Sequence, residues 1–157
     1  MAKVTLVTGS SRGLGRNTAL NIARQGGDVI VTYHSRNEEA NAVVAEIEAL
    51  GRKAVALQLD TGAVSSFPAF VERLQGVLRE VWQRDRLDHL VNNAGQGEFA
   101  LIADTTEAQF DALMNVHVKG VFFLTQALLS LIEDGGRIIN LSSGLTRVTL
   151  PGFGAYS

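Results

Sequence analysis

Val4-Thr5-Leu6-Val7-Thr8-Gly9-Ser10-Ser11-Arg12-Gly13-Leu14-Gly15 begins with a short β-branched apolar run and continues into three glycines spaced G-x-x-x-G-x-G. The run reads as a buried strand bounded by Gly9. Behind the glycines, residues 17–25 carry Ala19, Leu20, Ile22 and Ala23 at helical spacing. Strand, glycine turn and helix form the unit that holds a pyrophosphate against a helix N-terminus, where free N–H groups and the helix dipole meet negative charge. In that unit Gly9 permits the sharp turn and Gly13 lets backbone approach phosphate, while Gly15 lets the helix sit close to the strand. Ser11, Arg12 and Leu14 share the turn and join the candidate cofactor contacts. No Gly-Lys-Ser/Thr follows, which excludes a Walker loop.

Outward from this stretch, strand and helix patterns alternate. Strands are expected at 28–33, 53–59, 88–91 and 137–141, and helices at 38–50 and 65–83, with Gly51 a stop signal and Pro68 in a first turn. Such alternation predicts an α/β fold with a doubly wound parallel sheet, a Rossmann fold, and a ligand outside the carboxyl ends of the strands. Residues 1–157 show no repeat or linker and read as one dinucleotide-binding domain.

Bulk composition narrows the classes. The chain is 46% hydrophobic with net charge −2, and no basic run marks it for nucleic acid or a membrane surface. Cysteine is absent, which removes disulfides and thiolate metal sites, and no metal site is expected. The apolar stretch 121–132 is interrupted by Thr125, Gln126 and Ser130 and falls short of the ~20 residues that span a bilayer. The N-terminus enters a strand without a signal-peptide pattern, so a cytoplasmic protein is expected.

A long helix is expected over 106–132. Phe110, Leu113, Met114, Val116, Val118, Val121, Phe122, Phe123 and Leu124 leave few polar positions on any side of it. The sheet can cover one face only, so the other is covered either by further C-terminal structure or by a second subunit.

The glycine turn, Asn92-Asn93-Ala94-Gly95, Asn115, Ser143 and Tyr156 resemble, in order and spacing, the successive motifs of the short-chain dehydrogenase/reductase family. Glu38-Glu39-Ala40-Asn41 resembles its 3-oxoacyl-carrier-protein reductase-like branch. The resemblance implies an oxidoreductase that interconverts a small-molecule carbonyl and an alcohol by hydride transfer, as a homo-oligomer (dimer or tetramer). Tyr156 would be the acid, Ser143 the hydroxyl that holds the substrate oxygen, and Asn115 the water-holding residue, with a buried structural amide as the alternative for Asn115. Asp60, with Thr61 beside it, would accept from the adenine amine or else cap the next turn. Asn92, Ala94 and Gly95 would lie beside the adenosine, and Asn93 would tie strands together. His117 and Lys119 read as surface or interface residues.

Cofactor choice is expected at the end of the second strand. An NAD site places an acid there for the ribose 2′-hydroxyl, whereas this strand ends Tyr33-His34-Ser35-Arg36. Arg36 and Arg12 offer guanidinium donors to a 2′-phosphate, with Ser35 a smaller donor, so NADP(H) is expected before NAD(H). The alternative is a pair of solvated surface arginines. The family pattern Tyr-x-x-x-Lys meets the end of the sequence at Ser157, before its lysine. By that resemblance the chain lacks C-terminal strands and helices of the fold, and a catalytically silent NADP-binding or interaction module is the alternative reading.

Overall fold

The computed structural model describes residues 2–157. Strands β1 (Val4–Val7), β2 (Asp28–Tyr33), β3 (Ala54–Gln58), β4 (Leu87–Asn92) and β5 (Ile132–Asn140) form one parallel sheet in the order β3-β2-β1-β4-β5. Between them run α1 (Gly13–Arg24), α2 (Asn37–Ala49), α3 (Phe67–Trp82), α4 (Glu107–Met114) and α5 (Val121–Leu128). The doubly wound architecture expected from the alternating pattern is observed.

Strand alternation sorts the core into two layers. Leu6, Ile30 and Leu90 face Phe67, Phe70, Leu74 and Leu78 of α3 and Leu124 and Leu128 of α5. Val7, Val29, Val31 and Val91 face Ala19, Leu20 and Ala23 of α1 and Val43 and Ile47 of α2. All four residues of β1 are buried, as a central strand covered on both faces requires.

Two buried carboxylates tie down the edge where strands enter the sheet. Asp28 accepts from Arg52 Nη2 at 2.6 Å, the Lys53 N–H at 3.0 Å and Trp82 Nε1 at 2.9 Å. Asp88 accepts from Lys3 Nζ, the Val4 N–H and Arg84 Nη1, each at 2.8 Å. Burial pushes the Asp88 carboxyl upward, but its hydrogen bonds from Lys3, Val4 and Arg84 outweigh burial and hold its pKa below the ordinary carboxylate value.

The long helix departs from the expected continuous α-helix. Thr106 caps α4 in a reciprocal box with Gln109, but Asn115–Gly120 forms a wider π-helical turn before α5 resumes. Gly120 is the reason visible in the packing, since a Cβ there would lie 1.9 Å from the Thr61 carbonyl oxygen. The helix therefore touches the loop after β3 backbone to backbone. Its end also differs: β5 begins at Ile132, earlier than expected, with a register irregularity against β4 between Leu87 and His89.

Residues Glu107–Leu131 are long and apolar enough to cross a membrane, with mean hydropathy 1.3 in the most apolar window. This corrects the expectation that no stretch reaches that length. Leu124, Leu128 and Leu131 are buried in the layer built on α3, while most of the apolar window is not buried.

Candidate functional site

The order β3-β2-β1-β4-β5 reverses direction between β1 and β4, the point beyond whose strand ends such sheets place a ligand crevice. The glycine turn leaves β1 and the Asn92–Gly95 turn leaves β4, so both meet at this point. Val7 pairs with Val31 of β2 on one side and Val91 of β4 on the other, which sets the three strand ends level.

A polar framework then fixes the two turns against each other. Thr8 Oγ1 accepts from the Asn93 and Ala94 N–H groups, each at 2.9 Å. Asn93 Nδ2 donates to the Thr8 and Gly9 carbonyls at 2.8 and 3.1 Å. On the other side, Ser10 Oγ accepts from the Thr32 N–H at 3.0 Å, and Thr32 Oγ1 accepts from the Gly9 N–H at 3.1 Å. Asn93 ties neighbouring elements as expected. Thr8, Ser10 and Thr32 were not singled out in the sequence; the available signal was three small hydroxyl residues at strand ends flanking Gly9.

Only glycine fits where these turns converge. Gly9 has φ +62°, and a Cβ there would lie 2.8 Å from Ala94 Cα. A Cβ on Gly15 would lie 2.3 Å from the Gly9 carbonyl oxygen and 2.4 Å from Asn93 Nδ2. Gly13, at φ +57°, faces open space instead. Among the described residues the first turn of α1 has no side-chain cap and no acidic residue, which leaves its N–H groups to meet an external acceptor. Leu14 is 75% exposed beside them. Turn, open donors and absent acid together suit a pyrophosphate.

The flanking residues divide. Arg12 is exposed and makes no ion pair among the described residues, whereas Arg36 pairs with Glu39. Ser35 is exposed. Asp60 accepts from the Gly62 N–H at 2.9 Å, the turn-capping alternative, while its Oδ2 lies 3.5 Å from His34 Nε2. Thr61 presents its carbonyl to Gly120. Asn92, expected beside the adenosine, is buried and directs its amide inward to Thr125 Oγ1 at 3.2 Å and Asn140 Oδ1 at 2.8 Å. Its side chain thus ties β4 to β5 and α5, and the expected place beside the adenosine concerns its backbone.

Ser143 sits after β5 and accepts from the Leu145 N–H at 3.2 Å. Tyr156 lies on a terminal segment docked by the Ala100 N–H to Gly152 carbonyl bond at 2.9 Å and by the Phe99–Phe153 ring pair at 5.7 Å. No hydrogen bond joins Ser143 to Tyr156 among the described residues. Asn115 opens the π-helical turn, and its side chain has no hydrogen-bond partner among them. The ring facing Tyr156 belongs to His117, with centroids 5.3 Å apart. His117, expected at the surface or an interface, is half-buried, and its ring contact with Tyr156 is one that residue spacing in a helix does not reveal.

Two hollows are lined by other residues. One of about 410 Å³ is lined by Ile102, Thr106, Phe110, Gly154 and Ala155, next to Tyr156 in the chain. The larger, about 760 Å³, lies on the α1 side of β4 and β5 among Asn21, His89, Val91, Arg137 and Ile139, and no expected site residue lines it.

A family model described as short chain dehydrogenase matches residues 3–157. An oxidoreductase of Methylorubrum extorquens is 41% identical over 155 residues, covering 99% of this chain and 60% of the relative. Hydroxynaphthalene reductase arp2 of Aspergillus fumigatus is 35% identical over 155 residues, covering 99% of this chain and 55% of the relative. Among solved structures, the angucycline C-6 ketoreductase LanV with bound NADP aligns at TM-score 0.94 and 40% identity, over 98% of this chain and 60% of that one. The promiscuous reductase LugOII aligns at TM-score 0.94 and 41% identity, over 99% of this chain and 64% of that one. The chain thus spans about three-fifths of the length of the relatives it matches.

Proposed function

The chain belongs to the short-chain dehydrogenase/reductase family, and from that premise we propose an NADPH-dependent oxidoreductase that interconverts a ketone and an alcohol. The observation that carries the reading is the uncapped, acid-free first turn of α1, with Arg12 beside it in no ion pair among the described residues and no acid closing β2. LanV is described with bound NADP, and so is a Burkholderia cenocepacia short chain dehydrogenase 41% identical to this chain. Residues 1–157 are proposed to form one dinucleotide-binding domain.

The proposed cofactor contacts are the N–H groups of Gly13, Leu14 and Gly15 for the pyrophosphate, Ser11 and Arg12 beside them, and Ser35 and Arg36 toward a 2′-phosphate. Asp60 and Thr61 would face the adenine side, and Ala94 and Gly95 would offer backbone to the ribose. A bound nicotinamide supplies the hydride that reaches the carbonyl carbon. Tyr156 would deliver the proton to the carbonyl oxygen, and Ser143 would hold that oxygen through its hydroxyl. Asn115, at the start of the wide turn, is kept as the proposed water-holding residue.

The substrate proposed is a bulky apolar ketone of fused-ring character. Ile102, Phe110 and Gly154 line the smaller hollow, which Ala155, next to Tyr156 in the chain, also lines, and the exposed Phe99, Val148 and Leu150 add apolar surface. Relatives are named hydroxynaphthalene reductase and angucycline ketoreductase, which favours an enzyme over a silent binding module. Placement in the 3-oxoacyl-carrier-protein reductase-like branch rests on Glu38-Glu39-Ala40-Asn41 alone.

Calorimetric titration of the full-length protein tests the cofactor reading. NADPH is expected to bind more tightly than NADH, and Arg12→Ala to narrow the difference by about 1–3 kcal/mol, the range for hydrogen bonds to charged groups. Equal affinity for both nucleotides in the unaltered protein would overturn it.

A further inference from the structure

We propose that His117 is a positioning residue for Tyr156, a role that rests on the reading of Tyr156 as proton donor. Contacts to two other parts of the site meet in this one side chain. Its ring packs edge to face on Tyr156, with an interplanar angle of 88°. Its Nε2 lies 2.7 Å from the Gln96 carbonyl oxygen and 3.2 Å from the Gln96 backbone nitrogen, donating to the first when protonated and accepting from the second when not. Its Cε1 fills the space above Gly95, where a Cβ would come within 2.8 Å. One side of the imidazole is therefore keyed to the backbone after β4, and the other meets the tyrosine.

Other contacts of the terminal segment hold backbone or different rings. Ala100 bonds Gly152, Phe99 packs on Phe153, and the Ser157 N–H bonds the Phe153 carbonyl. Among the described residues, His117 alone forms a ring pair with Tyr156. The turn proposed to lie against the ribose and the group proposed to protonate the substrate are thus joined through this imidazole.

The test uses the full-length protein with NADPH and a fused-ring ketone. His117→Ala should lower kcat about tenfold to a hundredfold, as a misplaced reacting group does, while the NADPH Kd stays within about twofold. His117→Phe keeps an aromatic edge, guards against misfolding as the cause, and should recover part of kcat. Proton NMR should show nuclear Overhauser contact between the His117 and Tyr156 rings. Unchanged kcat in His117→Ala overturns the proposal, and so does a kcat loss matched by equally weakened NADPH binding. Absence of the ring contact overturns it independently of activity. Failure of the unaltered protein to bind NADPH or reduce ketones strikes the functional reading instead, and the NMR contact then decides this one.

Discussion

Arg12 and Arg36 look interchangeable in the sequence, yet the structure separates them. Arg12 stands unpaired at the mouth of the glycine turn, while Arg36 is held by Glu39 on the first turn of α2. A 2′-phosphate would have to draw Arg36 away from that carboxylate, so Glu39→Gln should tighten NADPH binding and leave NADH unchanged. Calorimetry with both nucleotides checks this, and equal changes for the two would count against a phosphate contact. Asp88 makes a prediction of a different kind. Its lowered pKa means the folded state favours the carboxylate, so the stabilisation is present above the unfolded pKa near 3.8 and is lost as pH falls through the lower folded value. Asp88→Asn should cost about 1–3 kcal/mol near neutrality by urea unfolding, with the difference shrinking below about pH 4.

At the scale of elements, two glycines decide how the crevice is built. Gly15 seats α1 on the β1 turn, and Gly120 seats the long helix on the Thr61 carbonyl. Gly120→Ala places a methyl where no space exists and should lower stability by about 1–3 kcal/mol in thermal unfolding. An unchanged Tm would show that the helix can slide off the loop at no cost. The role of Gly15 was legible because strand, glycine turn and helix follow one another in the sequence. Gly120 was not, because its partner Thr61 is distant in sequence and the contact is backbone to backbone. The doubly wound arrangement was readable from the alternation of strands and helices, and two-sided burial of β1 and the apolar face of α3 from residue pattern. The ring contact of His117 with Tyr156 and the inward amide of Asn92 were not, since each depends on a partner element that spacing does not report.

For the molecule as a whole, the parallel sheet puts the turns proposed to hold the cofactor at one end of the strands and the Asp28 and Asp88 anchors at the other. The long helix adds an exposed apolar surface, with Phe122 at 62% and Leu129 at 60% exposure near Phe123 and Val118. We propose that a second copy covers it in a homo-oligomer. Light scattering of the full-length protein should give a dimer or tetramer mass, and Phe122→Glu should lower it; a monomer mass for the unaltered protein would contradict this.

The central claim is that the glycine-turn crevice and Tyr156 together make an NADPH-dependent ketone reductase. Steady-state oxidation of NADPH and NADH by the full-length protein, with a fused-ring ketone and with Tyr156→Phe alongside, tests it most directly. The account predicts faster turnover with NADPH and a loss of about a hundredfold to ten-thousandfold in Tyr156→Phe, the usual contribution of a positioned acid. Turnover that favours NADH, or that survives Tyr156→Phe undiminished, would contradict it.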